Sequence, residues 1–91
     1  MTTADRIAER LRGALDPTHL EVVDDSADHV GHSGAAAGGG HYSCVVVTDA
    51  FRGKSIVERH RAVYAALGDL MRREVHALGI TTATPEEWAR D

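Results

Sequence analysis

The chain has 91 residues, of which 43% are apolar and 26% are charged, and this size and composition fit one globular domain with a single core. Its formal net charge of −4 argues against a strongly basic nucleic-acid-binding protein, so any such role requires a local basic face. The single cysteine, Cys44, excludes an intramolecular disulfide and a cysteine-rich metal site, and no apolar run is long enough to cross a membrane.

The first half of the chain predicts a helix, a strand and a loop. Residues 3–15 place apolar side chains at helical spacing after a threonine cap, and Asp16-Pro17 ends this helix. Residues 19–24 are typical of a β-strand. Residues 25–40 contain more than half of the nine glycines and show no apolar periodicity, so they predict a mobile loop.

A second strand and a central helix are predicted next. Residues 41–48 are rich in strand-forming side chains, and Ser55 with Glu58 three positions later forms a capping box that opens the helix. The apolar face of this helix is predicted to contain Ile56, His60, Val63, Leu67 and Leu70, widened by Val57, Tyr64 and Met71. The arginines predicted to lie largely off that face are Arg59, Arg61, Arg72 and Arg73.

The C-terminal part predicts a third strand and a short helix. Residues 75–82 show alternation, with one face formed by Val75, Ala77, Gly79 and Thr81 and the other by His76, Leu78, Ile80 and Thr82. Thr84 and Glu87 form a second capping box with proline at the first helical position, and Trp88 anchors the helix that follows.

The predicted element order is α-β-β-α-β-α, without internal repeats or a second domain. We therefore expect one α+β domain over residues 1–91, with a three-stranded mixed sheet covered by helices on one face. The first two strands are expected to be antiparallel, and the third can lie parallel to a neighbour through a right-handed crossover. The N-terminus lacks the apolar core of a signal peptide, so we expect a cytoplasmic protein.

Histidine is the unusual residue type, with six in this short chain. His29 and His32 lie three positions apart among small residues of the loop, and His41 follows at its far end. Imidazole is a ligand for zinc, iron, copper and nickel, but the spacing alone favours a solvent-exposed polar loop that happens to contain histidine. A closed zinc site does not fit, because no pair of thiolates accompanies these histidines.

The remaining candidate side chains are interpreted from their predicted elements. His76, between the central helix and the third strand, is either a structural side chain or projects from the sheet edge toward the loop. His60 is expected to pack in the core, and Cys44 to be a small strand residue without a base beside it. No pair of nucleophile and base emerges, so we do not expect an enzyme.

A locally basic stretch surrounds the start of the central helix, and its cations are Arg52, Lys54, Arg59 and Arg61. Cations beside a helix N-terminus can hold phosphates, but a solvated helix face is the simpler interpretation. The string Gly31-His32-Ser33-Gly34 matches the GxxG of nucleic-acid-binding KH domains, although here it lies in a strand-to-strand loop rather than between helices.

Motifs along nearly the whole chain resemble the BolA family. They are Leu20–Ser26, His41-Tyr42 before the second strand, Phe51–Leu67, Val75–Ile80 and Thr84–Trp88. The resemblance implies a fold akin to class II KH domains, which agrees with the element order read from the residues. It also implies two kinds of role, which are partnership with a monothiol glutaredoxin and transcriptional regulation in bacteria linked to stress, morphology and biofilm.

For the partnership, the resemblance implies a shared, glutathione-bound 2Fe–2S cluster that serves iron–sulfur trafficking or iron and redox regulation. It implies His76 as one ligand and a loop histidine as the other, with His29 placed first and His32 as its competitor. Two histidines cannot complete a cluster that needs four ligands, so the glutaredoxin and glutathione must supply the rest. No cofactor is expected in the isolated chain, which is expected to be a monomer or a weak homodimer without membrane contact.

For the regulatory role, the resemblance implies direct DNA binding. The residues that would contact DNA are Arg52, Lys54, Arg59 and Arg61. This alternative predicts a strong salt dependence of the DNA affinity.

Overall fold

The computed structural model describes residues 1–26 and 40–90. The elements in chain order are α1 (Thr3–Leu15), β1 (His19–Asp24), β2 (Gly40–Val47), a 3-10 turn (Asp49–Phe51), α2 (Ile56–Leu67), α3 (Leu70–Arg73), β3 (Val75–Ala83) and α4 (Pro85–Arg90). The predicted order is confirmed, and one short helix, α3, is added to it.

Side-chain caps set the start of each longer helix. Thr2 caps α1 together with Asp5, and Ser55 caps α2 together with Glu58. The central helix was predicted to run through Leu70, which is wrong. α2 ends at Leu67, and the φ of 55° at the next residue, Gly68, lies in a region that residues other than glycine rarely adopt. The chain then restarts as α3.

The sheet has the order β1-β2-β3. β1 and β2 are antiparallel, and β2 and β3 are parallel, so the predicted mixed sheet and its strand directions are confirmed. This topology brings the N-terminal ends of β2 and β3 and the C-terminal end of β1 together at one end of the sheet.

The core lies between the helices and one face of the sheet, as predicted. Its buried side chains are Ile7 and Leu11 of α1, Val63 and Leu67 of α2, Leu70 of α3, Tyr42, Cys44 and Val46 of β2, Phe51 and Val75. Within the described residues, no helix is long and apolar enough to span a bilayer. The cytoplasmic location stays a prediction.

The predicted apolar face of α2 needs correction in its first two turns and at Tyr64. Ile56, Val57 and Tyr64 are exposed, His60 is only half-buried, and Arg59 is 93% buried although it was predicted to lie largely off the apolar face. Val63 and Leu67 are fully buried, as predicted.

Arg59 can be buried because each of its three guanidinium nitrogens donates a hydrogen bond. It donates two hydrogen bonds to the carboxylate of Glu87 and one, at 3.0 Å, to the carbonyl of Lys54. The guanidinium carbon also lies 5.8 Å from the ring centre of Phe51. Arg59 therefore ties α4 and the loop before α2 to the central helix.

Candidate functional site

His76 projects from the start of β3 because the register of the sheet shifts there. Gly40 lies opposite Val75 and His41 lies opposite Ala77, which leaves His76 without a partner in β2. Val75 is buried and His76 is exposed. The prediction that His76 shares a face with Leu78 and Ile80 is therefore wrong, because the shift turns His76 out to solvent while those two side chains pack against the core.

His41 lies beside His76 across the two parallel strands. The ring centroids are 5.2 Å apart, and the ring planes are tilted by 52°. His41 is half-buried, and its main chain is fixed on both sides, since its N–H donates to the Ser26 hydroxyl at 3.1 Å and its carbonyl accepts from the Asp25 N–H at 2.7 Å. We call these two residues the histidine pair.

The strand ends around the histidine pair are held by further hydrogen bonds. The Ser43 hydroxyl donates to the Asp25 carboxylate at 2.7 Å, and the Gly40 N–H donates to the Glu74 carbonyl at 3.0 Å. Gly40 is required for close packing, because a Cβ there would lie 2.4 Å from the Tyr42 ring. The described ends of the loop, Ser26 and Gly40, thus both lie next to the pair.

Glu74, just before β3, connects this corner to α1. Its carboxylate accepts hydrogen bonds from the Arg6 guanidinium and from the Thr3 hydroxyl. These two donors, Arg6 first, lower the pKa of Glu74, so it is a carboxylate at neutral pH. These contacts hold the residues just before His76 against α1.

The sheet face that carries His41 is open beside the pair. Side chains alternate along β2, so His41 and Ser43 point away from the core that Tyr42 and Cys44 enter. A shallow groove of about 460 Å³ begins at Ser43, two residues beyond His41, and is lined by Glu21, Val23, Ser43, Cys44, Val45, Gly79, Ile80 and Thr81. A partner seated in this groove would lie on the same face of β2 as His41.

The structure brings together only part of the predicted ligand set. His29 and His32 lie outside the described residues, and His76 stands next to His41, which was noted at the end of the loop but was not chosen as a ligand. Within the described ranges no group of three or more histidine, cysteine, aspartate or glutamate side chains is placed to hold a metal ion. The histidine pair is thus an incomplete ligand set.

His19 lies far from the histidine pair, and the thiol of Cys44 is buried. His19 is at the opposite end of the sheet, where its ring stacks on Trp88 at 5.0 Å and its Nε2 is 2.6 Å from a Glu21 carboxylate oxygen. Cys44 is buried, and this burial raises the pKa of its thiol to about 11. Cys44 thus offers no thiolate ligand or nucleophile at neutral pH.

The four cations of the basic stretch differ in how far they are free of carboxylate partners and accessible to DNA phosphates. Arg59 is buried against Glu87, and Arg52 forms ion pairs with both Asp49 and Glu86. Lys54 and Arg61 are exposed. The basic surface is therefore smaller than the sequence predicted.

Comparisons with known proteins agree with this architecture. The family model described as BolA-like protein matches residues 11–87. The chain is similar to the DNA-binding transcriptional regulator BolA of Escherichia coli (strain K12), with 40% identity over 88 residues that cover 97% of this chain and 81% of that protein. The solved BolA domain of SufE1 from Arabidopsis thaliana is similar with a TM-score of 0.82 and 43% identity over 96% of both chains.

A further relative is a longer protein. The chain is 44% identical over 87 residues to the SufE-like protein 1, chloroplastic/mitochondrial, of Arabidopsis thaliana. The match covers 90% of this chain but only 24% of that protein. The similarity therefore concerns one domain of that relative.

Proposed function

The chain belongs to the BolA family, and from this premise we propose that it is an adaptor that binds a monothiol glutaredoxin and co-ligates a glutathione-bound 2Fe–2S cluster. In this role it serves iron–sulfur trafficking or iron and redox regulation. The observation that carries the proposal is the exposed His76, turned out of the sheet by the register shift beside His41.

An incomplete ligand set supports a shared cluster rather than a resident one. A 2Fe–2S cluster needs four protein or thiol ligands, and the histidine pair can supply at most two. Cys44 is buried as a thiol, so the thiolate ligands have to come from the glutaredoxin and glutathione. These features favour a binding role over a catalytic one.

The second ligand from this chain has three candidates. His29 and His32 are the candidates that the family resemblance implies. His29 follows Ser26 by three residues, and the Ser26 hydroxyl accepts a hydrogen bond from the main chain of His41, the residue beside His76. His41 is the candidate that the geometry adds, through its ring contact with His76.

The test mixes the chain with a monothiol glutaredoxin that carries a reconstituted glutathione-bound cluster and follows visible absorption and circular dichroism. We expect a new spectrum at one chain per glutaredoxin. His76→Ala should abolish the change, and one of His29→Ala, His32→Ala or His41→Ala should alter it. His19→Ala, which removes an imidazole at the far end of the sheet, is the matched control and should behave like the parent chain.

Two results would refute the adaptor role. One is an unchanged spectrum on mixing, and the other is a full change with His76→Ala. In either case the chain supplies no ligand to the cluster.

A second candidate function is DNA binding, which is favoured by the name of the Escherichia coli relative. The surface available for it is centred on Lys54 and Arg61, since Arg52 and Arg59 are held by carboxylates. Each phosphate contact that a cation makes steepens the salt dependence of the affinity by about one unit of slope.

DNA affinity measured across a salt series tests this second candidate. Substitution of Lys54 and Arg61 by Ala should weaken binding and reduce the slope by about two. Arg12→Ala, which removes an exposed cation on α1, is the control. Binding that is equally weak and equally salt-dependent in all three proteins would argue against a DNA-binding role for this surface.

A further inference from the structure

The separation of the two imidazoles in the histidine pair fits chelation of a single ion. Two imidazoles bound to one tetrahedral zinc ion through nitrogens at about 2.05 Å have ring centroids about 5 Å apart. The observed separation is 5.2 Å, with the ring planes inclined by 52° rather than stacked face to face. This separation is the one that two imidazole ligands of a single ion require.

From this geometry we propose that His41 and His76 together bind one divalent first-row metal ion, with zinc as the reference ion, in the isolated chain. Imidazole suits zinc, copper and nickel. The sequence led us to expect no cofactor in the isolated chain, so this site goes beyond that expectation. It also goes beyond the proposed function, because it requires neither a glutaredoxin nor a cluster.

The backbone around the pair favours such a site. The two side chains start from neighbouring paired strands, and the main chain of His41 is fixed by hydrogen bonds to Ser26 and Asp25. Ligands on fixed backbone lose little conformational freedom on binding an ion. Each imidazole gives one nitrogen to the metal and keeps the other for a hydrogen bond, which is the usual arrangement of metal-bound histidine.

The site is open, since His76 is exposed and the described residues supply no third ligand. A structural zinc site has four protein ligands, whereas an open site keeps positions for water. We therefore expect an ion with two histidines and exchangeable waters. An ordinary contact between two rings is the competing explanation, because rings at centroid distances of 4.5–7 Å are common in proteins.

The experiment titrates the full chain with Zn²⁺ by calorimetry in a non-coordinating buffer, and with Co²⁺ followed by visible absorption. We expect saturable binding of one ion per chain. His41→Phe and His76→Phe each keep a ring in place and remove the nitrogen, so each should lower the affinity at least about tenfold, given that even second-shell losses cost 10- to 100-fold. The double variant His29→Ala/His32→Ala should bind like the parent chain.

A measurement on the parent chain tests the site without relying on whether the variants fold. Zn²⁺ should shift the imidazole NMR signals of His41 and His76 and leave those of His19 and His60 in place. The proposal is overturned if the parent chain binds no ion, if binding survives both Phe substitutions, or if it is lost with the loop histidines instead. The glutaredoxin experiment is read on the cluster spectrum, so the two proposals fail independently.

Discussion

Replacement of Arg59 by methionine should destabilise the fold markedly, although arginine on a helix is usually a surface residue. Methionine keeps most of the buried stem, so the change removes mainly the guanidinium. The loss includes the hydrogen bond to the Lys54 carbonyl, which contributes about 1 kcal/mol, and the contact with the Phe51 ring, which contributes up to about 1 kcal/mol. Solvent reaches Glu87 and screens its ion pair, so these two contacts set the magnitude.

The expected decrease in the free energy of unfolding is therefore about 2 kcal/mol, measured by urea denaturation. For a domain of this size, that loss lowers the Tm by about 8–16 °C. Arg61→Met, on the same helix but exposed, is the control and should change stability by less than about 0.5 kcal/mol. Equal urea midpoints for the two variants would refute the structural role of Arg59.

Three further predictions concern other parts of the chain. The pKa of Glu87 is lowered to about 2, mainly by the hydrogen bond from the Arg59 guanidinium, so the stabilising effect of the ionised Glu87 is fully present above the ordinary pKa of 4.5 and is lost as the pH falls from 4.5 toward 2. Glu87→Gln should flatten the pH dependence of the free energy of unfolding, measured by urea denaturation, in that window. An unchanged pH dependence would contradict this. Gly40→Ala should lower the free energy of unfolding by about 1–3 kcal/mol because the buried Tyr42 ring has to move. Gly13→Ala, with open space around the added Cβ on α1, should raise it by about 0.5–1 kcal/mol. Thermal melts that rank the two variants in the opposite order would disprove the packing argument. Cys44 should react slowly with iodoacetamide at pH 8 in the folded chain and rapidly in urea, and fast labelling of the folded chain would show that its thiol is accessible.

Local signals predicted the element boundaries well, because they act over three or four residues. The N-caps at Thr2, Ser55 and Thr84 are followed by the side chains that complete each box, and all three helices start there. The break at Gly68 was missed because apolar spacing continues from Leu67 into Leu70. A glycine with positive φ interrupts the helix without interrupting the pattern.

Features that depend on distant partners could not be read from the sequence. Arg59 is buried because the carboxylate of Glu87, 28 residues later in the chain, accepts hydrogen bonds from its guanidinium. The histidine pair depends on a register shift between β2 and β3, which moves His76 to the exposed side. One sequence signal was present: Val75 and Leu78 both favour the core, and their spacing of three does not fit a regular strand.

The proposed adaptor role requires that His76 supply a ligand to a 2Fe–2S cluster shared with a monothiol glutaredoxin. The most direct measurement is the visible circular dichroism of the glutaredoxin-bound cluster on titration with the chain and with its His76→Ala variant. We expect a new spectrum that saturates at one chain per glutaredoxin and is absent with the variant. The same saturating spectrum with His76→Ala would contradict it.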